Sequence, residues 1–358
     1  MEARLEILEY MRANGHEQLV ACHDPSAGLN AFIAIHDTTL GPACGGVRVW
    51  PFATEDEAVL DVLRLSRAMT YKSAVAGLPL GGGKAVIVAD SRKDKNEALL
   101  RVFGRYVDTL GGRYLTTEDV GMTPHDLEFI ADETEHVLGL PLSMGGSGDT
   151  SAQTGLGIYL GMKACARAVW GSDSLEGKVV AIQGFGNVGS HTAGHLIEEG
   201  ARLVVTDVYE GSRERAASMG ATLVAPSDVY DAECDIFAPC ALGGVLNDDT
   251  VPRLRCAIVA GGANNQLLEN RHGDQLHERG ILYAPDYVIN AGGIINVASE
   301  LDGVYRPERA RELTERIYDT VGWVISTARE EGIPTYLAAD RMAERRLDSV
   351  RKLRGVRR

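Results

Sequence analysis

Lys178-Val-Val-Ala-Ile-Gln-Gly184-Phe-Gly186-Asn-Val-Gly189 is a short apolar run that ends in G-x-G-x-x-G. A run of this length bounded by turn residues reads as a buried strand. A helix is expected next, through His191–Glu199, and then a strand, Arg202-Leu-Val-Val-Thr-Asp207. That strand ends in an acid about 20 residues beyond the glycines, the spacing of a dinucleotide-binding unit. The glycine triplet alone is a weak signal. Strand, glycines, helix, strand and terminal acid in this order form a specific one. Pyrophosphate sits on free N–H groups at a helix N-terminus, so Gly184, Phe185, Gly186, Asn187, Val188 and Gly189 are the candidate cradle. Asp207 would accept a hydrogen bond from a ribose hydroxyl and repel a 2′-phosphate, which favours NAD over NADP. The plainer alternative is a glycine turn in an α/β fold that binds no nucleotide.

Downstream, strands are expected at Asp235-Ile-Phe-Ala, Cys256-Ala-Ile-Val-Ala and Gly280-Ile-Leu-Tyr-Ala. The last two precede amide-and-glycine segments, Gly261-Gly-Ala-Asn264-Asn265-Gln and Val288-Ile-Asn290-Ala-Gly-Gly-Ile294-Ile-Asn296-Val297. Ligands of doubly wound sheets bind beyond the carboxyl ends of strands, so Asn264 and Asn290 are read as ligand contacts. Asn265 and Asn296 are read as helix caps. From Pro307 onward two long helices are expected, separated at Gly332-Ile-Pro334, the last folding back on the N-terminal part.

Upstream lies a second marked stretch, Met69-Thr-Tyr-Lys72-Ser-Ala-Val-Ala-Gly-Leu-Pro-Leu-Gly-Gly-Gly-Lys84. Its two lysines stand twelve residues apart in an otherwise uncharged segment. Burying an ammonium is expensive without compensation, and a desolvated lysine can serve as a base near neutral pH. The glycines read as a loop that lets the backbone approach a ligand, with Lys84 at the mouth of the strand Ala85–Ala89. A snorkelling lysine on a core strand is the plainer alternative. A helix from Thr54, with Glu57 completing a capping box, delivers Lys72 at its far end. Two short strands, Gln18–Cys22 and Ala31–Ile35, and a glycine-bearing turn entering a strand at Leu40–Arg48 precede it. Asn96–Leu110 reads as a helix, Tyr114–Thr117 as a strand ending at Glu118 and Asp119, and Thr123-Pro124 as the next helix start.

The whole is an α/β chain. Residues 1–145 are expected to form an N-terminal α/β substrate and catalytic domain, with the helix at about 332–358 packing back on it. Residues 146–331 are expected to form a Rossmann-type doubly wound dinucleotide-binding domain, with a cleft between the two. The hinge is placed in Met144-Gly-Gly-Ser-Gly-Asp-Thr-Ser151.

Composition agrees. The chain of 358 residues has a net charge of −14, which argues against a nucleic-acid partner. The basic tail Arg351–Arg358 reads as a solvated helix end. The N-terminus reads as an amphipathic helix start and not a signal peptide, and no run approaches the ~18 apolar residues of a membrane span. Six scattered cysteines without zinc spacing read as reduced thiols in a cytoplasmic protein, and no metal site is expected.

On Leu40-Gly-Pro-Ala-Cys-Gly-Gly, Gly81-Gly-Gly-Lys84, Thr117-Glu-Asp119-Val-Gly, Ala238-Pro-Cys-Ala-Leu-Gly-Gly, Ala263-Asn-Asn-Gln and Asn290-Ala-Gly-Gly, the chain resembles the glutamate/leucine/phenylalanine/valine dehydrogenases over nearly its whole length. Within them it is most similar to the leucine and valine enzymes. The resemblance implies oxidative deamination of an L-amino acid with NAD and water to a 2-oxo acid, ammonia and NADH, by a symmetric homo-oligomer. It implies that Lys72 binds the α-carboxylate, Lys84 is the base and Asp119 exchanges protons with the amino group and with Lys84. Gly45 and Gly46 would bound the substrate, Asn264 would touch substrate or nicotinamide, and Thr154 and Asn290 would contact the nicotinamide part. Nearby cations depress each other's affinity for protons and a carboxylate opposes this, so the three are expected to titrate together. Glutamate enzymes carry a lysine where this chain has Cys44, and Cys44, Thr117, Ile294 and Val297 would form an apolar pocket. That favours a branched aliphatic substrate, with an aromatic one as the alternative. A catalytically inactive nucleotide-binding regulator is the rival of another class, but it would keep the fingerprint without Lys84 or Asp119.

Overall fold

The computed structural model describes residues 5–356. The chain divides into two compact units. The first takes the chain up to Asp149, Val297–Arg306 and the residues from Ala343 onward; the second takes Thr150–Asn296 and Pro307–Met342. The expected boundary at 145/146 thus lies after Asp149, a later segment returns to the first unit, and the C-terminal helix enters it at Ala343 and not at 332.

The first unit is built on β1 (Gln18–Asp24), β2 (Leu29–Asp37), β3 (Ala43–Trp50), β4 (Gly81–Val88) and β5 (Tyr114–Glu118), in the order β1-β2-β4-β3-β5. β2 runs antiparallel to β1 and β4, while β3 runs parallel to β4 and β5. Strand side chains alternate between faces. Ala85 and Ile87 of β4 pack with Leu99, Leu100 and Phe103 of the helix Glu97–Asp108 on one face. Val86 packs on the other face with Ala58, Val59, Val62 and Leu63 of the helix Glu55–Val75. Alternation therefore sends Lys84 to the face covered by the helix whose last turn carries Lys72. Thr54 caps that helix by accepting from Glu57 N at 3.2 Å. Glu57 does not close the expected capping box, because its carboxylate accepts from Ala53 N at 3.0 Å, one residue earlier.

The glycines before Lys84 are not a loop, because Gly81–Gly83 begin β4; the strand expected to follow the turn at Leu40 is β3, and Gly45 and Gly46 lie inside it. The cause is close packing. A Cβ on Gly82 would overlap Thr70 N and Ser66 O of the covering helix, and one on Gly83 would come within 2.7 Å of the Tyr114 ring.

The second unit carries β6 (Val179–Gln183), β7 (Arg202–Thr206), β8 (Thr222–Leu223), β9 (Ile236–Pro239), β10 (Ile258–Val259) and β11 (Leu282–Tyr283). All neighbours are parallel, in the order β11-β10-β9-β6-β7-β8. This is the doubly wound dinucleotide-binding order, whose direction reverses between β6 and β9. β8 is too short to read from sequence. Three helices follow Pro307 where two were expected: Pro307–Glu315, Ile317–Glu331 and Thr335–Val356. The second stops at Gly332, whose φ of 64° suits glycine. Neither Asn265 nor Asn296 is a cap: Asn265 sits at φ 53° outside any helix, and Asn296 lies within Gly292–Ala298. Among the described residues no helix is long and apolar enough to cross a membrane. The start of the N-terminal segment and the last two residues of the basic tail lie outside the described residues.

Candidate active site

Three adjacent strands carry the charged heart of the first unit. Parallel pairing sets Gly46 opposite Thr117 and Val47 opposite Glu118, so continuing the register brings Arg48 to Asp119. Lys84, 6% exposed, places Nζ 2.9 Å from Asp119 Oδ2. The same oxygen accepts from Arg48 Nε at 3.0 Å. Arg48 Nη1 donates in turn to Asp61 Oδ2 at 2.9 Å. Burial, the largest influence on Asp119, would raise its pKa; Lys84 and Arg48 together reverse this and hold the carboxyl at about 2. Asp119 is therefore a carboxylate throughout the neutral range. Lys72 stands in the last turn of its helix, half-buried.

Arg48 and Asp61 were not singled out in the sequence. The available signal was an arginine inside the otherwise uncharged strand Ala43–Trp50, since an ionised side chain there demands partners.

Around this cluster the walls are apolar or small. Cys44 is fully buried, and burial chiefly, then the Glu300 carboxylate, pushes its thiol up to about 12. Thr117 and Val297 meet at Gly139, where a Cβ would stand 2.9 Å from Thr117 Oγ1 and 3.5 Å from Val297 Cγ1. Glu300, also unread in the sequence, pins this corner by accepting from Gly139 N at 3.0 Å and Ser147 N at 2.7 Å. Gly45 and Gly46 give their missing side chains to neighbouring backbone: a Cβ on either would overlap the carbonyl of Gly83 or Glu118 respectively. Ile294 is buried too, but within the second unit.

The second unit holds the glycine turn. Gly184 has φ 96°, and a Cβ there would lie 2.7 Å from Ala241 Cβ. A Cβ on Gly189 would overlap Gly184 O, so the helix Asn187–Glu198 packs directly on the turn. Gly186, the N-cap of that helix, has no heavy atom of the described residues within 4 Å of a Cβ built on it. Asp207 accepts from Phe185 N at 2.6 Å and from Tyr209 N at 2.8 Å. A cavity of 450 Å³ is lined here by Gly184, Gly186, Asp207, Val208, Cys240 and Leu242. Asn187 and Val188 form the first turn of the helix behind it. Further along the same unit, Asn290 donates to Asn264 Oδ1 at 2.8 Å and to Gly262 O at 3.1 Å. Among the described residues, the buried Oδ1 of Asn290 has no hydrogen-bond partner. Thr154 Oγ1, near Gly293, donates to Thr150 O at 3.0 Å. An open glycine cradle, an acid at its rim and an orphaned amide oxygen are what a dinucleotide requires, so the residues fit such a group.

The family model for the Glu/Leu/Phe/Val dehydrogenase dimerisation domain matches residues 16–136. The model for the glutamate/leucine/phenylalanine/valine dehydrogenases matches residues 145–212 and 205–355. The chain belongs to this dehydrogenase family. It is an amino-acid dehydrogenase, an oxidoreductase of oxidative deamination that uses a nicotinamide cofactor. The dehydrogenase is 56% identical to a leucine dehydrogenase of Geobacillus stearothermophilus, over 98% of this chain and 95% of that one. It is 48% identical to a phenylalanine dehydrogenase of Thermoactinomyces intermedius, over 98% and 96%. Among solved structures, the L-tryptophan dehydrogenase of Nostoc punctiforme superposes with a TM-score of 0.84 at 46% identity, covering 96% of this chain and 99% of that one.

Proposed function

We propose that this dehydrogenase converts a branched-chain L-amino acid, NAD and water to the 2-oxo acid, ammonia and NADH, reversibly. The observation that carries this reading is the pair of buried Lys84 and half-buried Asp119, 2.9 Å apart, in the unit whose Cys44, Thr117 and Val297 offer a substrate side chain no cation. A second carboxylate beside Cys44 would be buried unpaired at a cost of several kcal/mol, which disfavours glutamate.

In this reading Lys72 takes the α-carboxylate of the substrate. Lys84 removes a proton from the water that attacks the iminium carbon, and Asp119 passes protons between the amino group and Lys84. Gly45 and Gly46 keep the strand backbone thin beside the reacting atoms. The chemistry that a nicotinamide would supply when bound is acceptance of a hydride from the substrate Cα. Gly184 to Gly189 would hold the pyrophosphate and Asp207 the adenosine ribose, favouring NAD over NADP. Thr154, Asn264 and Asn290 would hold the nicotinamide end, Asn290 through its unpartnered Oδ1. Cys44, Thr117 and Val297 are assigned to the side-chain pocket, and Ile294, in the second unit, is a separate candidate contact for the substrate. The similarity to phenylalanine and tryptophan dehydrogenases supports a second reading, an aromatic substrate. The dimerisation-domain match supports a homo-oligomer, and six free cysteines support a cytoplasmic location.

The test is NADH formation at alkaline pH against a panel of L-amino acids, with NAD and with NADP, for the parent and for Lys84→Ala. Turnover is expected with leucine, valine or isoleucine and NAD, and is expected to vanish in Lys84→Ala while NADH still binds. Near-normal turnover in the variant overturns the base assignment, and glutamate turnover in the parent overturns the pocket.

A further inference from the structure

Asp61, Arg48, Asp119 and Lys84 form one line of alternating charge. Each comes from a different stretch of the first unit: the helix Glu55–Val75, β3, the end of β5 and β4. The links measure 2.9, 3.0 and 2.9 Å, and Arg48 and Lys84 converge on one oxygen, Asp119 Oδ2. The interior side chains are sheltered, with Arg48 24% and Asp119 19% exposed. The deamination chemistry gives Arg48 no task.

We propose that Arg48, oriented by Asp61, is a positioning residue for the deamination: it fixes the Asp119 carboxylate and takes a share of the negative charge that would otherwise act on Lys84 alone. The proposal rests on the roles given above to Lys84 and Asp119. A guanidinium is planar, permanently charged and held by a fixed fork, so it can lock a carboxylate that an ammonium alone would leave free to turn. Its charge also sets how readily the cluster releases a proton. Around Asp119, Glu118 is the next residue in the chain, and burial with Asp149 and Asp119 raises its pKa. The Tyr114 hydroxyl donates to Gly45 O at 2.6 Å and is kept neutral by burial. These neighbours are neutral or negative, so Arg48 is the permanently charged cation on Asp119, distinct from Lys84 on the same oxygen and from Lys72 in the last turn of the covering helix.

The signs follow from Coulomb's law. Oxidative deamination requires the cluster to lose a proton. Arg48→Gln removes a fixed cation, holds that proton more tightly and moves the rising limb of kcat/KM to higher pH, by on the order of one unit. Asp61→Asn removes a fixed anion from farther away and moves the limb to lower pH, by about half as much. Arg48→Lys keeps the charge but not the fork, so the limb stays in place while kcat falls.

The experiment measures kcat and KM against pH for the parent and these three variants, with NADH binding followed by fluorescence. Arg48→Gln is expected to lower kcat at least about tenfold with KM within about threefold and NADH binding unchanged. Opposite shifts in Arg48→Gln and Asp61→Asn, with the limb restored in Arg48→Lys, support the proposal. Unmoved limbs, or shifts in one direction, overturn it and leave Arg48 a structural ion. If Arg48→Gln does not fold, Asp61→Asn decides: a downward shift supports, no shift overturns. Full activity in Arg48→Gln beside an inactive Lys84→Ala sinks this proposal alone, whereas an active Lys84→Ala sinks the base assignment itself.

Discussion

The glycines of the first unit's strands and Gly186 of the second unit serve opposite purposes, although Gly184 and Gly189 on either side of Gly186 are themselves packed. In the first unit, the side chains that Gly45, Gly46, Gly82 and Gly83 lack would collide with the protein's own atoms. The space is already taken, by a helix backbone, by strand carbonyls and by the Tyr114 ring. In the second unit Gly186 faces no heavy atom of the described residues within 4 Å, at the N-terminus of the helix Asn187–Glu198 and beside a cavity of 450 Å³. There the space is left open. A glycine motif therefore reports either a packed floor or a vacant cradle, and only its surroundings tell which.

The largest expected effect breaks the packed floor. Gly82→Ala drives a methyl into Thr70 N and Ser66 O of the covering helix. Overpacking against backbone costs roughly 3 kcal/mol or more, so denaturant unfolding is expected to show a marked loss of stability. A variant as stable as the parent would mean the floor can yield. Gly186→Ala is the counterpart. Its φ of −71° is open to alanine, so stability is expected to change by less than about 0.5 kcal/mol. Dinucleotide affinity, by contrast, is expected to fall about tenfold or more, because the pyrophosphate must approach that backbone. Isothermal titration with NADH reads this, and unchanged affinity would move the cradle elsewhere.

A smaller effect sharpens the electrostatic side of the contrast. Asp119 is depressed to about 2, so its contribution to stability is present above the ordinary carboxylate range near 4 and is lost as pH falls through about 2. The pH-dependent part of the stability gap between the parent and Asp119→Asn is expected to close over that window, with a size of about 2 kcal/mol. A gap that stays constant from pH ~5 to ~2 would contradict the ion pair.

How much of this could be read in advance follows the range of the interactions. The fingerprint was legible because strand, glycines, helix and acid are contiguous, and β6, the helix from Asn187 and β7 fall where the pattern puts them. Thr54, Asn96 and Thr123 cap their helices for the same local reason. Lys84 and Asp119 were legible through their motifs. Arg48 was not, because its meaning lies in Asp61 and Asp119, which are 13 and 71 residues away in the chain. Glu300 likewise reaches Gly139 across 161 residues. The glycines before Lys84 looked like a loop because sequence records their freedom and not the helix that presses on them. The break at Arg316 leaves no proline or glycine to announce it.

The filled glycine floor also bears on how such an enzyme can change over time. Lys84 follows three positions at which an added methyl would have to displace main chain or a buried aromatic ring, so mutation there is closed off one step at a time. Thr117 and Val297, the proposed pocket walls, meet at Gly139 with side-chain atoms, Oγ1 and Cγ1. Drift in substrate taste should accumulate in those walls, while the floor stays frozen across descendants of this chain.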